Sequence, residues 1–134
     1  MKRAITITEP YASFIAQGIK CMETRSRYTN FRGEIYIHAS KRKIPKEWRE
    51  NDSLMAYLDG DPRCGMVIAK AKVVDCIRMT QEWIDDLKRN NPTEYQLGFY
   101  SVGRCAIVLD DVEAVEPFPA KGHLQIGWYL DIPD

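Results

Sequence analysis

Lys20, Glu23 and Arg25 bring two cations and one carboxylate together in the stretch GIKCMETRS at positions 18–26. Cations on either side would hold Glu23 ionised, and partial burial among cations would draw the pKa of Lys20 downward. Such a set can move a proton, steady a developing oxyanion or meet a phosphate. It can equally be a solvated ion-pair cluster that contributes little. A second candidate is His38 with Ser40, a His-x-Ser pair on one face of the alternating segment EIYIHAS, suited to acid–base work or to hydrogen bonding a ligand. Lys41, Arg42, Lys43 and Lys46 follow, with Arg27 and Arg32 upstream and Tyr11, Tyr28, Phe31 and Tyr36 interleaved. That is the composition of a surface for single-stranded nucleic acid, where cations track phosphates and rings stack on bases. The rings also suit a core, and positions 41–43 a solvated loop.

Other chemistries lack their residues. There is no G-x-S-x-G, and GDPRCG has neither the spacing nor the lysine of a phosphate-binding loop. Cys21, Cys64, Cys76 and Cys105 lie far apart with no C-x-x-C and only two histidines, His38 and His123, to complete a zinc site, which argues against a structural metal. The expectation is reduced thiols, no metal and no cofactor.

The elements that must position these side chains can be read from periodicity. AITIT at 4–8 alternates Ile5 and Ile7 with threonines, as a half-buried strand does. Pro10 suits a helix start, Tyr11, Phe14 and Ile15 share its inner face, and Gly18 can end it in a left-handed cap. Lys20 then follows a helix C-terminus, where a cation is favoured. If residues 22–26 are extended, Glu23 and Arg25 point the same way and Lys20 can reach over them. In EIYIHAS, Ile35, Ile37 and Ala39 take one face and Tyr36, His38 and Ser40 the other. Pro45 opens a predicted helix carrying Trp48, Met55 and Leu58 inward. A long strand at 66–77 presents Lys70 and Lys72, Thr80 caps a helix with Trp83, CAIVL at 105–109 reads as a central strand, and a last strand runs through Ile126, Trp128 and Leu130. About six strands and three helices with irregular connections predict an α+β fold, a small curled sheet or barrel with peripheral helices.

The 134 residues suit one domain spanning positions 1–134, with 45% hydrophobic and 28% charged residues and no linker or low-complexity tract. MKRAITITEP is too short and polar for a signal sequence or membrane span, so a cytoplasmic protein without a membrane partner is expected. The formal net charge is zero, but residues 1–49 hold eleven Lys and Arg against four Asp and Glu, and residues 50–134 eight against fifteen. A basic patch on a neutral protein is what phosphate binding needs, unless folding intermixes the two halves. No feature specifies an oligomeric state.

ITITEPYASFIAQGIKCMETRSRYTNFRGEIYIHAS resembles the opening of an ASCH domain, within the PUA-like superfamily. The matching features are a strand, E-P-Y-A leading a helix, G-x-K-x-x-E-x-R at Gly18, Lys20, Glu23 and Arg25, then Arg32-Gly33 and His38-Ala39-Ser40. The resemblance implies a PUA-like mixed β pseudo-barrel with helices beside a cleft floored by Lys20, Glu23 and Arg25. It also implies RNA or a modified nucleoside or nucleotide as partner. The family includes hydrolases of N4-acetylcytidine and is associated with ribonuclease activity. That amidohydrolase branch resembles G-x-K-x-x-T-x-R; here Glu23 stands in place of the threonine. A carboxylate does not replace a hydroxyl nucleophile, although it can activate water or accept a hydrogen bond.

Three functions follow as expectations. The first is a binding module in which Lys20 and Arg25 meet phosphate or a base carbonyl and Glu23 accepts from an exocyclic amine, with Tyr11, His38, Ser40, Lys41, Arg42 and Lys43 as further binding residues. The second is a metal-independent hydrolase with Lys20 and Glu23 as catalytic residues, acting on RNA or an N-acylated nucleoside. The third is a protein-interaction module using the acidic segment at 110–116.

Overall fold

The computed structural model describes residues 1–132, among which the order is β1 (Lys2–Ile7), α1 (Tyr11–Ala16), β2 (Met22–Arg25), β3 (Gly33–Ala39), α2 (Lys46–Arg49), α3 (Asp52–Met55), β4 (Met66–Arg78), α4 (Gln81–Asn90), α5 (Pro92–Gln96), β5 (Cys105–Pro119) and β6 (Trp128–Leu130). The strands form one sheet in the order β2-β5-β4-β3-β1-β6. β1 and β3 are parallel, with Ile7 beside Ala39, and the other pairings are antiparallel. The register of β4 on β5 shifts at three places and that of β3 on β4 at one. Such bulges raise local twist and bend a sheet. The resulting curl is visible in one hydrogen bond: Arg25 on edge strand β2 donates from Nη2 to the carbonyl of Thr6 on β1 at 2.7 Å, although three strands separate the two in sheet order.

The concave side is filled by Ile5, Ile7, Ile35, Ile37, Ile68 and Ile107, all at most 1% exposed, with Ala12 and Ile15 of α1 laid against them. The opposite side of α1 places Phe14 against Ile44, Trp48 and Leu97. Both ends of this helix are fixed. Glu9, fully buried, accepts from Ser13 N–H at 2.7 Å, Ser13 Oγ at 2.5 Å and Arg63 N–H at 2.9 Å. At the other end Gly18 takes φ +80°, a left-handed conformation open to glycine. Gly18 and Ile19 N–H then close on the carbonyls of Ile15 and Phe14. Lys20 emerges from this turn, where its spacing predicts it.

Three expectations need correction. The single helix expected over Trp48, Met55 and Leu58 is divided, because Asn51 is extended and its side chain accepts from Leu54 N–H to start α3. The helix at Trp83, capped as expected by Thr80, is followed by a separate α5, which Asn91 caps and Pro92 opens. The strand at 105–109 runs on to Pro119, since its acidic continuation faces lysines across the ladder: Glu113 lies 3.6 Å from Lys70 and Asp111 3.2 Å from Lys72. The four cysteines are free, and no described helix is long and apolar enough to cross a membrane.

Candidate nucleotide-binding cleft

The carboxyl ends of β1 and β3 lie side by side, and the curl brings β2 opposite them. Between them opens a cleft of about 340 Å³ walled by Lys20, Glu23, Arg25, Tyr11, Phe99 and Arg104 among others. That volume falls within the roughly 300–1,000 Å³ of small-molecule sites.

Its floor is a dry ion pair. Lys20 is 2% exposed and Glu94 1%. Lys20 Nζ donates to Glu94 Oε2 at 2.7 Å and to the hydroxyl of Tyr100 at 3.1 Å, and that hydroxyl donates to Glu94 Oε2 at 2.6 Å. Cys21 N–H donates to Glu94 Oε1 at 2.6 Å. Burial pushes the Glu94 carboxyl upward, but the Lys20 charge and the hydrogen bonds from Cys21, Lys20 and Tyr100 outweigh it and leave the group below its ordinary value. Burial, then the Glu94 carboxylate, pushes the Tyr100 phenol well above its ordinary range and the Cys21 thiol up to about 11. Neither is a nucleophile at neutral pH. Lys20 retains one N–H of its three for the cleft. Gly98 permits this arrangement: a Cβ there would stand 2.5 Å from the Tyr100 ring and 2.7 Å from Lys20 Nζ.

The side wall is a second ion pair. Arg25 Nε donates to Glu23 Oε2 at 2.8 Å, while its Nη2 is held by Thr6. Glu23 is therefore fixed through one oxygen, and Oε1 keeps its capacity to accept. Tyr11 accepts from Trp48 Nε1 at 2.7 Å, and burial raises its phenol, so it enters the cleft as a donor. At the mouth Phe99 is 58% exposed, with the Arg104 guanidinium 4.6 Å from its ring centre. Arg104 also reaches the carbonyl and hydroxyl of Thr24, and its Nε is buried without a partner among the described residues.

The ASCH domain family model matches residues 5–118. The chain belongs to the ASCH domain family. It is 29% identical over 137 residues to activating signal cointegrator 1 of Mus musculus and 28% identical to that of Homo sapiens. These matches cover 95% of the chain and 22% of each relative, so the chain spans about a fifth of the length of the curated relatives it matches. In structure it is similar to ASCH from Zymomonas mobilis, with a TM-score of 0.54, 17% identity, and coverage of 87% of this chain and 72% of that one. A tyrosine-to-phenylalanine mutant of that protein gives the same TM-score and identity, with 74% of it covered. The likeness establishes the fold, the curled six-stranded sheet of an α+β, PUA-like ASCH domain.

Within this ASCH domain the expected residues divide between two places. Tyr11, Lys20, Glu23, Arg25, Ser40 and Arg42 wall the cleft. His38 and Lys41, again with Ser40, wall an adjoining cavity. Lys43 is exposed and walls neither. The expected carboxylate between two cations is corrected: Glu23 pairs with Arg25, and Lys20 pairs with Glu94 from a segment 74 residues on. His38 does not stand on an open face. It is 1% exposed, its Nε2–H donates to the carbonyl of Ala120 at 2.7 Å, and Nδ1 meets the hydroxyl of Thr6 at 3.1 Å. Glu94, Phe99, Tyr100 and Arg104 are the residues that sequence reasoning missed. Asn91-Pro92-Thr93-Glu94 has the spacing of a helix start with an acid in its first turn, which accounts locally for Glu94 and conceals its partner. In Gly98-Phe99-Tyr100 nothing in the spacing marked Phe99 as belonging to a site.

Proposed function

We propose that the cleft binds RNA through one nucleobase, plain or modified, with an exocyclic amine. The observation that carries this reading is Glu23, an acceptor held by Arg25 with one oxygen to spare. A carboxylate takes the same role towards the N4 amine of cytosine. Arg25 and the third N–H of Lys20 can donate to the base carbonyl, and the exposed face of Phe99 can stack on the ring, a contact tolerant of base identity. Membership of the ASCH family supports the reading.

Of the two partners expected for Lys20, phosphate or a base carbonyl, its pairing favours the carbonyl. The Lys20 charge is already matched by Glu94 at 2.7 Å. The one N–H that Lys20 keeps can still donate to a developing oxyanion as an uncharged donor does, and this favours a second reading, hydrolysis of RNA or of an N-acylated nucleoside.

Fluorescence anisotropy with labelled hexanucleotides tests the first reading. Oligocytidylate is expected to bind more tightly than oligouridylate, and Arg25→Ala to weaken both. Equal affinity for the two, or none, would overturn it. Mass spectrometry of the same RNAs and of N-acylated cytidine after incubation decides the second: turnover lost in Glu23→Gln supports hydrolysis, and unchanged substrate removes it.

A further inference from the structure

The cleft has a neighbour that the single-base reading leaves unused. A second cavity of about 340 Å³ shares Thr6, Ser40, His123 and Leu124 with the first. With four residues in common, the two are compartments of one trough.

The partition is built. The outer wall is the segment from Ala120 to Leu124, tied down by the bond from His38 to Ala120 and by His123, whose ring lies 5.1 Å from that of Trp128. Trp128 in turn donates to Thr6 Oγ1 at 3.1 Å. The segment approaches the Thr6–His38 pair this closely because position 122 is glycine; a Cβ there would stand 2.7 Å from both Thr6 Oγ1 and His38 Cε1. On the other side Ser40 Oγ accepts from Arg42 N–H at 3.1 Å and shapes the turn that distributes two consecutive cations. Arg42 walls the first compartment and Lys41 the second. The stem of Lys41 lies along Gly65, its Cγ 3.3 Å from where a Cβ would be.

The floor of the first compartment differs in charge from the rest of the trough. Lys20 and Arg25 each have a carboxylate within 2.8 Å. The second compartment holds Lys41 and Lys121, and among the described residues neither they nor Arg42 has a carboxylate within 4.0 Å. Lys20 and Arg25 at the floor are thus matched, whereas Arg42 and Arg104 at the mouth of the first compartment and Lys41 and Lys121 in the second have no carboxylate partner among the described residues. A trough neutralised at its floor and cationic beyond it fits a ligand with a polar uncharged group at one end and an anion at the other. A nucleobase and its phosphodiester backbone have that distribution.

We propose that the second compartment holds the nucleotide next to the bound base, with Lys41, Arg42 and Lys121 on the phosphates between them. The inference rests on the base reading above and narrows its ligand to a single strand of RNA of two or more nucleotides, rather than a free nucleoside. A duplex does not fit, because paired bases cannot enter separate pockets.

Titrations of cytidine, a cytidine hexanucleotide and a duplex of the same sequence test this, each at several salt concentrations. The hexanucleotide is expected to bind more tightly than cytidine, with a log–log salt slope that falls by about 1.4 in Lys41→Ala/Lys121→Ala, since each phosphate contact on a single strand contributes about 0.7. Both lysines are exposed, and an unchanged circular dichroism spectrum confirms folding. If cytidine and the hexanucleotide bind alike, if the slope survives the double substitution, or if the duplex competes equally, the inference fails and the base reading stands. Absence of binding by all three probes would remove both.

Discussion

The two ends of the trough put their cations to different use. At the floor, Lys20 is dry, paired and surrounded by Glu94, Tyr100 and Cys21. On the two walls, Lys121 on one side and Lys41 and Arg42 on the other are wet and without carboxylate partners among the described residues. A buried ion pair holds geometry at a desolvation cost, whereas exposed unpaired cations cost little and attract a polyanion over about a Debye length. Salt dependence should therefore belong to the wall and shape to the floor. It also follows that loss of RNA binding in Lys20→Ala would be ambiguous, because that substitution damages the fold first.

Breaking the floor should give the largest effect. Lys20→Ala leaves Glu94 buried without its cation, and removal of one partner of such a pair costs about 3–5 kcal/mol. Chemical denaturation should record that loss, and Lys20→Met combined with Glu94→Gln should recover much of it; a single variant within about 1 kcal/mol of wild type, on the order of an exposed pair, would mean the pair is not dry. Acid gives a second readout. The folded-state value of Glu94 lies below its ordinary value of 4.5, so its contribution is complete above 4.5 and is lost as pH falls through the lower folded value. In Glu94→Gln the melting temperature should lose that component of its decline below pH 4.5.

Much of this contrast was legible before the structure. Gly18 located Lys20 after a helix end, and a period of two put Glu23 and Arg25 on one side of β2, where they pair. Alternation also found β1, β3 and β4. What escaped was every partner distant in sequence. Lys20 is matched by Glu94, 74 positions on, and nothing local at either residue specifies the other. His38 alternates onto an open face by period, yet the segment at Ala120 and the ring of Trp128 cover that face. The acids at 111 and 113 looked like a surface for a partner because the lysines they meet lie on β4, reached only through strand register. Periodicity reports which side a residue faces, and tertiary closure decides what it meets there.

Two smaller perturbations sharpen the division between floor and wall. Phe99→Ala removes an exposed ring from the mouth without touching the Lys20–Glu94 pair. Loss of one base stack should cost about 1–3 kcal/mol of RNA affinity. Stability should change far less, and a variant that instead lost stability with affinity intact would assign the ring to packing against Arg104. The finest test is Glu23→Gln. Glu23 is buried, but a glutamine keeps an oxygen that can accept from Arg25 Nε, and Arg25 remains partly exposed. The loss in stability should therefore stay near that of a single hydrogen bond, about 1 kcal/mol. The chemical change is larger than the energetic one: a carboxylate only accepts, whereas a carboxamide both accepts and donates. Wild type should prefer the amine of cytidine to the carbonyl of uridine, and Glu23→Gln should bring the ratio of the two affinities towards one while leaving the salt slope as it was. A preference that survives the substitution would locate base discrimination elsewhere in the trough, away from the one acceptor that the Arg25 bridge holds in place.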